Sequence, residues 1–152
     1  MAPPPDQRPP PQAILFACNF NLVRSVMAAA LMRRRFGRTV WVDSVGVRPG
    51  AAPDPFVAAV LDELGLDAAK HRPKGFADLD DMNFDLIVTL TPEAHHRALE
   101  FTRTLAVDVE YWPTFDPTQA QGAREAILDE YRAVRDALDQ RIAARFARPS
   151  TG

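Results

Sequence analysis

The chain has 152 residues, 47% of them hydrophobic and 25% charged, with a net charge of −2 at pH 7. This length buries one core and is short for two, and the balanced charge argues against a general nucleic-acid binder. A single cysteine excludes an internal disulfide, and neither a membrane-length apolar run nor a signal-peptide pattern is present. The expectation is a soluble, cytoplasmic protein with no nucleic-acid or membrane partner.

Residues 1–12 contain six prolines and predict an extended, disordered leader. From Ala13 strand and helix signals alternate. AILFA is a short apolar run that suits a strand covered on both faces, and Val26 to Phe36 carries helical spacing up to Gly37. TVWVDSVG, rich in β-branched residues, predicts a second strand. Asp54 as cap and Pro55 in the first turn open a helix whose face is Val57, Val60, Leu61 and Leu64, ended by Gly65. FDLIVTL predicts a third strand, Thr91-Pro92 a helix running to about Thr104, and AVDVEYW a fourth strand. Ile127, Tyr131, Val134, Leu138, Ile142 and Phe146 mark a long amphipathic helix. The alternation predicts one α/β domain over residues 13–148, a parallel sheet with helices on both faces, followed by a tail at 149–152.

In such folds ligands bind at the carboxyl ends of strands, and the lone Cys18 falls there. Cys18 and Arg24 form a C-x5-R pattern followed by Ser25. If Asn19 to Val23 curl so that their N–H groups point inward, the loop makes a nest for a tetrahedral oxyanion, and the next helix adds its positive dipole end. A field that holds a dianion also favours a thiolate nucleophile. Arg24 adds a planar fork that matches two oxygens of the anion. The loop lacks the glycines and lysine of a Walker-type nucleotide site. His95 and His96, adjacent on a helix, diverge, and no spaced ligand set predicts a metal. Asp78, Asp80 and Asp81 read as a solvated loop or cap.

These residues, with CNFNLVRSVMAAAL, VDSVG, FDLIVTLTPEAHHRAL and the Asp-Pro pair of YWPTFDPT, resemble the low-molecular-weight protein tyrosine phosphatase family from Ala13 to Phe146. The resemblance implies a four-stranded parallel sheet of Rossmann-like topology. It implies Cys18 as nucleophile, Arg24 as oxyanion ligand and Asp116 as the acid that protonates the leaving oxygen, with no cofactor. Asn19, Phe20, Asn21, Leu22, Val23, Arg24 and Ser25 would form the phosphate-binding loop, able to take phosphate or sulfate. Ser25 would support the thiolate, and Ser44 and His71 would anchor Asn21, a residue type tolerant of left-handed backbone. A phosphate monoester, including that of a phosphotyrosine protein, is the implied substrate.

Several positions depart from the family pattern. Phe20 stands for a glycine, and a bulky residue disfavours positive φ. Val23 replaces a cysteine, so oxidised Cys18 would lack a disulfide partner. Val26 replaces a proline, Ala29 a glutamate, and Thr118-Gln119 an aromatic pair that grips phenyl rings. Two alternatives stay open at this level. One is an arsenate reductase coupled to an external low-molecular-weight thiol, since one cysteine cannot relay a disulfide. The other is a noncatalytic phosphate-binding regulatory module.

Overall fold

A computed structural model describes residues 7–147. Four strands, β1 (Ala13–Cys18), β2 (Trp41–Gly46), β3 (Leu86–Thr89) and β4 (Asp108–Tyr111), form one parallel sheet in the order β2-β1-β3-β4. The helices are α1 (Arg24–Phe36), α2 (Pro55–Asp62), α3 (Pro92–Leu99) and α4 (Arg124–Arg145). Central β1 is apolar throughout because it is covered twice. Ile14, Phe16 and Cys18 face the core shared with α1, α2 and α4, while Leu15 and Ala17 face the one shared with α3. Strand alternation therefore turns Cys18 toward α1.

The caps follow local chemistry. Asp54 Oδ1 accepts from Phe56 N at 2.8 Å, and Thr91 Oγ1 accepts from Ala94 N at 3.1 Å, each just before a proline in the first turn. The helix expected to reach Thr104 tightens after Leu99 into a 3-10 turn, Glu100–Arg103. On α4 the buried stripe begins at Leu128 rather than Ile127 and includes Arg135 and Arg145. These two arginines are admitted because Arg135 Nη1 donates to Val60 O and Glu63, and Arg145 pairs with Glu110.

The expected free leader requires a correction in its second half. Arg8 forms a parallel bridge to Phe146, with Arg8 N donating to Arg145 O at 3.1 Å and Ala147 N to Arg8 O at 2.8 Å. Gln12 N donates to Asp85 Oδ2 at 2.6 Å. Prolines remove only their own donors, and Arg8 and Gln12 flank the prolines at 9–11 with N–H groups intact. The leader's first six residues, Arg148 and the tail at 149–152 lie outside the described range.

Candidate active site

β1 ends at Cys18 and α1 begins at Arg24, so the site is the loop between them. Four successive carbonyls, from Cys18 to Asn21, are taken from outside. Val47 N donates to Cys18 O at 3.0 Å, Arg48 N to Asn19 O at 2.8 Å, and Gly50 N to Phe20 O at 2.9 Å. His71 Nε2 donates to Asn21 O at 2.8 Å, which sets the tautomer since a carbonyl only accepts. Consecutive carbonyls held outward leave the loop's N–H groups turned toward its interior, the geometry of an anion nest. The first turn of α1 has no side-chain cap and no acidic residue, so its N–H groups and dipole end add to that field.

The left-handed residue is Asn21, φ 56°, alone among the described non-glycine residues. Phe20 therefore carries no positive φ, and its bulk is accommodated by pointing outward, 45% exposed, with the Arg48 guanidinium 5.6 Å over its ring. Asn21 is fully buried, and both ends of its side-chain amide are used. Nδ2 donates to Ser25 Oγ at 2.9 Å and Ser44 Oγ at 3.0 Å, and Oδ1 accepts from Lys74 N at 3.0 Å. Ser25 Oγ lies 3.0 Å from Cys18 Sγ. Because Ser25 accepts from Asn21, its own hydrogen is available to the sulfur. Cys18, Asn21, Ser25, Ser44 and His71 thus form one connected network under the loop.

Arg24 Nη1 donates to Thr114 O at 3.1 Å, and its Nη2 lies 4.0 Å from Asp116 Oδ2. Asp116 Oδ1 accepts from Thr118 N at 2.9 Å and Thr118 Oγ1 at 2.7 Å, which holds the carboxylate at the start of a short 3-10 turn, Pro117–Gln119. A cavity of about 70 Å³ lies between these groups, lined by Cys18, Phe20, Leu22, Val23, Arg24, Asp54, Asp116 and Thr118. A sulfur at its base, a guanidinium at its side and a carboxyl group at its rim suit displacement at a small tetrahedral oxyanion.

The family model for low molecular weight phosphotyrosine protein phosphatase matches residues 13–147. The chain belongs to this family. It is 32% identical to a low molecular weight protein-tyrosine-phosphatase of Streptomyces coelicolor, over 84% of this chain and 82% of the relative. It is 29% identical to an arsenate reductase of Bacillus subtilis, over 85% of this chain and 91% of that one. Its fold superposes on the Erwinia amylovora tyrosine phosphatase AmsI with a TM-score of 0.73 at 18% identity, covering 90% of this chain and 91% of the other. It is a cysteine-based phosphatase by family.

Within this low molecular weight phosphatase, four supporting positions escaped the sequence reading. Thr91 Oγ1 donates to Asn19 Oδ1 at 2.7 Å while also capping α3. Asp54 caps α2 yet lines the cavity, where its Oδ2 accepts from Tyr131 OH at 2.8 Å. Burial first, then this bond, raises the pKa of Tyr131 well above a phenol's, so its hydrogen stays in place. A Cβ on Gly46 would fall 2.6 Å from both Asn21 N and Phe20 C, so the end of β2 must be glycine for the loop to pack against it. Thr114 contributes a backbone carbonyl. The Thr-Pro and Asp-Pro cap signals were legible, but nothing local indicates that two caps face one loop.

Proposed function

We propose that Cys18 is the nucleophile of a phosphomonoesterase that works through a cysteinyl-phosphate, with a phosphotyrosine-bearing protein as substrate. The reading rests on one observation: Cys18, Arg24 and Asp116 surround a single small cavity at the carboxyl end of β1. Arg24 and the loop N–H groups hold the equatorial oxygens of the phosphoryl group. Cys18 Sγ attacks phosphorus in line, forming an S–P bond as the P–O bond to the leaving group breaks. Asp116 gives its proton to the departing oxygen. In the second step Asp116 takes a proton from water, whose oxygen forms a P–O bond while the S–P bond breaks. The Ser25 hydroxyl supports the sulfur as it leaves with its electron pair, and inorganic phosphate is released.

Phe20, exposed at the rim, offers a flat apolar surface beside the cavity, which favours an aromatic leaving group in the absence of the aromatic pair at Thr118-Gln119. The experiment is phosphate release from p-nitrophenyl phosphate at mildly acidic pH with chelator present. Turnover by the native chain that is abolished in Cys18→Ser, with phosphate still bound by the variant, is the expected result. Substantial turnover by Cys18→Ser overturns the covalent mechanism. Arsenate reduction without phosphatase turnover would move the chemistry to an external thiol, because the chain holds no second cysteine.

A further inference from the structure

Away from Cys18, the molecule carries an apolar groove of about 330 Å³ between α4 and the segment that leads from β4 to Asp116. Trp112, Val134 and Leu138 form its floor, and Phe115, Ala133 and Ala137 its walls. Phe115 is 62% exposed, although it sits next to Asp116. The two alanines leave a trough on a helix face that long polar side chains would otherwise fill.

We propose that Met1–Asp6 of this same chain dock in that groove. The exit point of the described chain favours this occupant. Arg8 is bridged in parallel to Phe146, so the described chain begins beside the last turn of α4, the helix whose Arg141 lies at one end of the groove. Arg8 also lies 3.6 Å from Glu110, whose Oε1 accepts from Trp112 Nε1 at 3.2 Å. The reach is adequate. Six residues of extended proline-type backbone span roughly 19 Å, and α4 from Ala133 to Arg141 rises about 12 Å.

Composition agrees with the position. Pro3, Pro4 and Pro5 are restricted by their rings to extended backbone, which lowers the entropy lost on docking against an aromatic-lined groove. Charge agrees as well. Arg141 stacks 5.2 Å over the Trp112 ring and enters no ion pair among the described residues, and Asp6 is the one acidic residue of the leader. Arg145 Nη1, beside the Arg8 bridge, is buried with no partner among the described residues, a donor that a leader carbonyl satisfies. A docked leader lies against the back of the segment carrying Asp116. The docking stands independently of the role given to Cys18.

The test is nuclear Overhauser spectroscopy of the full labelled chain. Cross-peaks are expected from the Pro3–Pro5 ring protons to the Phe115 ring and the Ala137 methyl, with intensity per molecule unchanged on dilution. The cross-peaks to the Phe115 ring are expected to vanish in Ala137→Asp, on the helix surface, and the Phe115 ring and Ala137 methyl signals are expected to shift in the triple variant Pro3→Gly, Pro4→Gly, Pro5→Gly, whose substitutions lie outside the groove. A peptide of residues 1–8 added in trans should perturb the groove signals of the triple variant and leave those of the native chain unmoved. Absence of the cross-peaks in the native chain overturns the proposal. So do cross-peaks that arise only between differently labelled chains, which would put a second copy in the groove. Equal perturbation of both proteins by the peptide overturns it too, since the groove would then be open to a separate proline-rich partner.

Discussion

Arg24 Nη2 and Asp116 Oδ2 face each other at 4.0 Å across a cavity that has Cys18 at its base. The separation is too long for a tight bidentate pair, and the other terminal nitrogen of Arg24 is held by Thr114 O. A phosphoryl group bound in the cavity beside them takes the guanidinium as an oxyanion ligand and leaves the carboxyl group on the leaving-group side.

Asp116→Asn therefore keeps the cavity and removes the transferable proton. A leaving-group series of aryl phosphates should show kcat/KM falling steeply for poor leaving groups, by about 10²–10³, and much less for good ones. Uniform slowing across the series would assign Asp116 a structural part.

Arg24→Lys retains charge and loses the planar fork. Inhibition by inorganic phosphate should weaken by about tenfold or more, with thermal stability nearly unchanged, because the one hydrogen bond its side chain makes among the described residues is to Thr114 O. Titration of both proteins with phosphate checks this.

Asn21→Ala leaves the Ser44 hydroxyl and the Lys74 N–H without their partner and puts a Cβ residue at φ 56°. A loss of about 2–4 kcal/mol in urea unfolding is expected, with turnover greatly reduced. Asn21→Gly relieves the backbone alone and should recover part of the stability and little of the turnover. The difference between the two variants separates strain from hydrogen bonding.

Acid stability should depend on the tie between α2 and α4. Hydrogen bonds from Arg132 and Arg135 hold the carboxyl group of Glu63, just after α2, down at about 2. A depressed folded value means that the unfolded chain binds the proton first. The contribution is thus fully present above about pH 5 and is lost as pH falls toward about 2. Urea midpoints of Glu63→Gln should lie below those of the native chain at pH 7 and converge with them toward pH 2.

Much of this was legible in one dimension. Apolar runs broken by Asp-Pro and Thr-Pro caps define the β1 to α4 order, because capping and φ restriction act within a few residues. The C-x5-R spacing located the site for the same reason, since a loop closing onto a helix N-terminus is a local event. Strand ends shifted because pairing depends on the neighbouring strand: β1 runs one residue further, to Cys18, whereas β2 and β4 each start two residues late, β4 at Asp108 opposite Leu86 rather than at Ala106.

Burial of Arg135 and Arg145 was hidden because it requires Glu63 and Glu110 from distant segments. The network beneath the loop belongs to the tertiary structure for the same reason. Ser44, His71, Thr91 and Asp54 reach the site from β2, the segment after α2, the start of α3 and the start of α2. Gly46 is required only by the backbone it lies against. The amino-acid sequence alone determined the elements, their order and the position of the one thiol, since these depend on side chains a few residues apart. Only the folded sheet decided which groups surround that thiol, because parallel strands bring together residues that are far apart along the chain.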